Sequence, residues 1–118
     1  MPGTPSILFL IDADPRVSAR PAEAVRIAAG IAAWNQGKVS LCLVGPAAAA
    51  LTDWPEDLKD GDSFERCLPS FIESGGRIYT LAKTVEPAAP RGPAVGFEKI
   101  AAPELADLSA RATQLLRF

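Results

Sequence analysis

Two cysteines and a pair of aspartates are the residues of this chain best placed to do chemistry, and no histidine assists them. Lacking imidazole, the chain has no usual general base, no usual partner for a serine or cysteine nucleophile, and none of the commonest zinc ligand. Chemistry would fall to a carboxylate, a thiol, a backbone site or a bound partner. Cys42 lies inside KVSLCLVG (38–45), an apolar run in which a thiol is a small hydrophobe with a raised pKa. Cys67 has two readings. Pro69 is unfavourable deep in a helix and pushes Leu68 toward extended geometry. A helix beginning at Pro69 would leave Cys67 just outside a thiolate-favouring N-terminus, beside Arg66. In the other reading Cys67 fills space beside Phe64 and Phe71.

Asp12 and Asp14, with Arg16 and Arg20, follow the first apolar run. If that run is a strand of an open parallel sheet, they sit at the edge where such sheets bind ligands. They could surround an anionic or nucleotide-like molecule, or simply form a turn at Asp14-Pro15 with solvated charges around it. Gly45 precedes a short helical segment and could seat an anion on free amides, although Pro46 removes one donor. Lys83 and Arg91 lie in a proline- and glycine-rich stretch, 83–96, and could meet the same anion. A loop of that length in a small domain is usually a lid, a binding loop or an interface.

The elements that must position these residues follow from pattern. Ile7–Ile11 is continuously apolar and stopped by Asp12-Ala13-Asp14-Pro15, as in a strand covered on both faces. Pro21 opens a helix that runs to about Gln36 and stops at Gly37. Residues 38–45 read as a second buried strand, 47–51 as a short helix, and 52–62 as a polar surface connection. A helix near Ser63–Ser74 ends at Gly75-Gly76, and Arg77–Leu81 is a third strand. A short strand near Phe97–Ile100, a helix opened by Pro103 and a fifth strand at Leu115–Phe118 complete the chain. Strands alternating with helices at this spacing imply one α/β domain over 1–118: about five mostly parallel strands in a three-layer α/β/α sandwich. Strand order stays open.

Composition excludes several classes. With 118 residues, 48% hydrophobic and 22% charged, the chain can bury a true core without metal or crosslinks. A net charge of −2 with no basic run, and no aromatic interleaved with one, argues against nucleic acid. The N-terminal apolar run is too short for a signal peptide or a bilayer span, so a cytoplasmic location with reduced cysteines is expected, away from membranes. No cofactor or resident metal is expected. Trp54 lies in the polar connection, where it could cap the neighbouring helix, and Trp34 reads as core or interface.

The first helix is more apolar than one buried stripe requires. Glu23, Arg26, Gly30 and Ala33 form its narrow outer ridge, which turns small in its second half. Such a helix is usually covered twice, which points to a homo-oligomer through Arg26, Gly30, Ala33 and Trp34. Alanine's helix propensity offers the alternative account.

The stretch DPRVSARPAEAVRIAAGIAAWNQGKVSLCLVGPAAAAL resembles the opening half of the DsrE/DsrF-like family of small α/β proteins, which includes sulfur-relay subunits. FIESGGRIYTL is similar to its next helix–Gly–strand unit, and VGFEKIAAPELADLSARATQLLRF to its closing strand, helix and terminal strand. The resemblance runs from about Ile7 to Phe118 in order and spacing. It implies a parallel α/β/α sandwich assembling as dimers, trimers or hexamers, with other sulfur-relay proteins as partners. Sulfur-handling members carry a cysteine after the third strand. Here Ala82-Lys83-Thr84 follows Leu81, and 83–96 contains no cysteine. The expectation is therefore an accessory member of sulfur relay or sulfur metabolism, not a standard persulfide carrier and not evidently an enzyme. Should the chain carry sulfur after all, Cys67 is the residue to do it. ILFLIDADP also resembles the opening of response-regulator receivers, whose paired aspartates hold magnesium. The acceptor aspartate that a receiver places at the end of its third strand has no counterpart at Leu81-Ala82-Lys83.

Overall fold

The hydrophobic runs become the strands of a single sheet, and the alternating segments become its helices. In chain order these are β1 (Ser6–Ile11), α1 (Arg20–Trp34), β2 (Lys38–Leu43), α2 (Ala49–Thr52), α3 (Gly61–Glu73), β3 (Arg77–Leu81), β4 (Glu98–Ile100), α4 (Ala102–Arg111) and β5 (Gln114–Arg117). A turn of 3₁₀ helix, Gly45–Ala48, leads into α2. The computed structural model describes residues 6–34, 38–52, 54–81 and 96–118.

The five strands among the described residues are all parallel, in the order β4-β3-β2-β1-β5. The chain steps outward from β1 to β4 and then returns past β1 to place β5 at the far edge. Right-handed crossovers require helices of the outward steps on one face and the returning helix on the other. The cores match. Phe9, Ile11, Leu41, Leu43 and Ile78 pack with residues of α1 and α3 on the first face. On the second, Leu8, Cys42, Tyr79 and Ile100 pack with Leu105, Leu108 and Ala112 of α4 and its C-terminal cap. The result is a three-layer α/β/α sandwich. The terminal strand starts one residue earlier than its pattern suggests, and Phe118 still donates its N–H to Leu10 O at 2.8 Å.

α3 matches the helix expected near Ser63–Ser74 and removes the alternative of a start at Pro69. It runs from Gly61 through Pro69 to Glu73. Asp60 takes a left-handed conformation (φ 52°) before it, and the preceding Lys59 N–H donates to Pro15 O at 2.7 Å. Pro69 lies on the exposed side, while Phe64, Leu68 and Phe71 are buried. Burying those three contributes about 1.5–3 kcal/mol each, enough to offset the roughly 3 kcal/mol that an interior proline costs. Gly75 ends the helix with φ 92°. At Gly76 a Cβ would run into the ring of Phe71, so only glycine lets α3 lie this close to the start of β3.

α1 buries Pro21, Ala22, Ala24, Val25, Ala28, Ala29 and Ala32. Much of its second cover is intramolecular, since α3 packs along it on the same face of the sheet. The outer ridge of Glu23, Arg26, Gly30 and Ala33 is exposed as its spacing implies. Trp34 is not core: it is 91% exposed, and Ile27 beside the ridge is 44% exposed. Among the described residues no helix is long and apolar enough to cross a membrane.

Candidate functional site

The carboxyl ends of β1, β2 and β5 bring several of the sequence-derived residues to one edge. Val44 N–H donates to Ile11 O at 2.9 Å, so the ends of β1 and β2 stay side by side. Asp12 and Asp14 leave β1 there and Gly45 leaves β2.

The two aspartates are held apart by different arginines. Arg16 donates to Asp14 Oδ1 from its backbone N–H and from Nε, both at 2.9 Å, and from Nη2 to Oδ2 at 3.3 Å. This hydrogen bonding from Arg16 holds the Asp14 carboxyl below its ordinary range. Asp14 also closes a turn, its carbonyl accepting from Val17 N–H (3.2 Å) and Ser18 N–H (2.9 Å). Asp12 engages a different arginine, its Oδ2 accepting from Arg117 Nη2 at 2.7 Å and Nε at 3.1 Å. Two carboxylates so engaged do not converge on a cation. Among the described residues, no group of three His, Cys, Asp or Glu is arranged to hold a metal.

Arg117 belongs to this edge although the sequence alone did not single it out. Its signal was a terminal strand ending in a cation, and only the strand order puts β5 beside β1. Around the pair an open cavity is lined by Asp12, Ala13, Arg20, Arg117 and Phe118. Gly45 contributes less. Its φ of 58° suits a glycine, yet Pro46 has no N–H and the Ala47 N–H donates to Val44 O at 3.2 Å. Lys83 and Arg91 lie outside the described residues.

The cysteines sit on different layers. Cys42 is fully buried on the α4 side of the central strand, and burial pushes its thiol up to about 11. Cys67 lies midway along α3, not at a helix N-terminus, half-buried against the main core. Arg66 pairs with Asp62 one turn earlier at 3.6 Å, with both side chains mostly exposed. Cys67 therefore does not stand at the helix N-terminus that one reading of it required. Trp54 is 48% exposed at the start of a 3₁₀ turn, where Asp57 N–H donates to its carbonyl at 2.9 Å.

Comparison of the whole trace with solved structures gives a match. The chain shares its fold with the YchN protein of E. coli. That crystal structure superposes with a TM-score of 0.80, covering 98% of this chain and 100% of the other at 17% sequence identity. No family model matches the sequence, and no curated protein matches it either. Likeness to YchN at this identity carries the architecture alone. The architecture is the parallel sandwich that the DsrE/DsrF resemblance implies.

Proposed function

We propose that the chain is an accessory subunit of the sulfur-relay type, acting through assembly with copies of itself and not through a persulfide on its own thiol. The observation that carries this reading is the outer side of α1. Ile27 and Trp34 stand exposed across Gly30, around which a Cβ would meet nothing within 4 Å. Covering a tryptophan of this exposure removes roughly 200 Å² of largely apolar surface, about 4–5 kcal/mol per subunit before the cost of association. Two copies related by a twofold axis would each bring the same stripe. The thiols support the second half of the proposal: one is in the core, the other is mid-helix, and the chain has only these two.

Sedimentation velocity at micromolar concentration tests the reading. The wild-type chain should sediment as an oligomer, and Ile27→Glu with Trp34→Glu should return it to a folded monomer. A wild-type monomer would remove the assembly, and an oligomer unaffected by the double substitution would remove α1 from it.

A second reading is a small-molecule binding module, again oligomeric, using the strand carboxyl ends. The cavity beside the Asp12–Arg117 pair favours it. Saturable thermal stabilisation by a small anion would support this second reading.

A further inference from the structure

Where β1 and β5 end, the cavity lined by Asp12, Ala13, Arg20, Arg117 and Phe118 measures about 380 Å³, within the range of small-ligand sites. Its walls are fixed from below. Asp12 N–H donates to Phe118 O at 3.1 Å, and Phe118 N–H donates to Leu10 O at 2.8 Å. The Phe118 ring stacks on Phe9, 5.7 Å between centroids, and Phe9 is itself fully buried. Arg117 is held by Asp12 through Nε and Nη2, which uses two of the five donors a guanidinium offers. Arg20, the first residue of α1, lines the same cavity and forms no ion pair among the described residues.

An exposed arginine without a counter-ion is ordinary. Arg20 differs in sharing a cavity with a second guanidinium, which a carboxylate holds still. We propose that this cavity binds a compact oxyanion, a carboxylate or phosphate group, gripped by Arg20 and flanked by Arg117. A planar fork of N–H donors suits such groups in two-point contact. Asp12 stays in the wall, so a ligand with one compact charge is favoured over a polyphosphate, whose further charges would meet that carboxylate. The proposal rests on the binding-module reading and narrows its ligand class from anionic or nucleotide-like molecules to small oxyanions.

Two-dimensional amide NMR on the full chain tests it, with sodium acetate and inorganic phosphate titrated separately at constant ionic strength. Either probe should give saturable shifts centred on Ala13, Arg20 and Phe118, and the one that saturates first identifies the source of the oxyanion. Arg20→Gln should weaken binding about tenfold, a loss of about 1.4 kcal/mol. Arg20→Lys should retain part of the affinity, because charge survives without the fork. Arg77→Gln, which removes an exposed charge at the amino end of β3, away from this edge, should change nothing. Equal losses in Arg20→Gln and Arg77→Gln, or shifts that stay linear with concentration at this edge, would overturn the site. Saturable binding elsewhere would overturn this site while leaving the binding-module reading, and no saturable binding of either probe would overturn both.

Discussion

Thiol labelling gives the most direct check on how the two cysteines are used. Cys42 is fully buried and its thiol is pushed up to about 11 from a reference of 9.0, so at pH 8 its thiolate fraction is roughly a hundredfold below that of an unfolded thiol. Reagent entry adds a second barrier. The central strand opens only with the whole domain, and a domain of this size is stable by at least about 5 kcal/mol, which contributes a further factor of roughly a thousand or more. Cys67 is half-buried on a helix and needs only local motion to meet the reagent. The perturbation is Cys67→Ser, and the assay is an aromatic disulfide reagent at pH 8 with the labelled mass read afterwards. Wild type should label at a single thiol under native conditions and at a second only in denaturant. Cys67→Ser should show no native labelling over the same interval while keeping a cooperative melt. Native labelling of Cys42 in that variant, within about tenfold of its unfolded rate, would refute the burial argument.

Three further outcomes follow from the packing. Between pH 9 and 11 the unfolded Cys42 thiol releases its proton and the folded one does not, so stability is full below pH 9 and falls by about 2–3 kcal/mol as pH rises through the folded value. Denaturant titrations of wild type and Cys42→Ala across that window should differ in slope by this amount; parallel pH profiles would contradict it. Gly76→Ala places a methyl in the buried ring of Phe71 and should cost about 1–3 kcal/mol, lowering Tm by roughly 5–10 °C by calorimetry. Thr80 is fully buried and its hydroxyl has no hydrogen-bond partner among the described residues, so Thr80→Val should raise stability by about 1 kcal/mol in the same assay.

The period of hydrophobicity was enough to read the layers of this fold. Ile7–Ile11 and residues 38–45 are apolar at consecutive positions because both faces of their strands are covered, and that signal is local. Strand order is not local: nothing in QLLRF says that it lies beside β1, so Arg117 could not be joined to Asp12 before the sheet was assembled. Pro69 pulls in the opposite sense. Its local preference left a helix start there open beside the Ser63–Ser74 pattern, and the burial of Phe64, Leu68 and Phe71 overrides that preference. The apolar content of α1 was legible, but its cause was shared. α3 accounts for part of the cover that had pointed to a second subunit, and what remains outward is Ile27 and Trp34.

Native mass spectrometry after incubation with a low-molecular-weight persulfide tests the central claim in one spectrum, because it reads subunit number and sulfur load together. The spectrum should show an integer multiple of the 12.4 kDa chain, two or greater, with no stoichiometric gain of sulfur. A single 12.4 kDa chain, or one sulfur atom added per subunit, would contradict it.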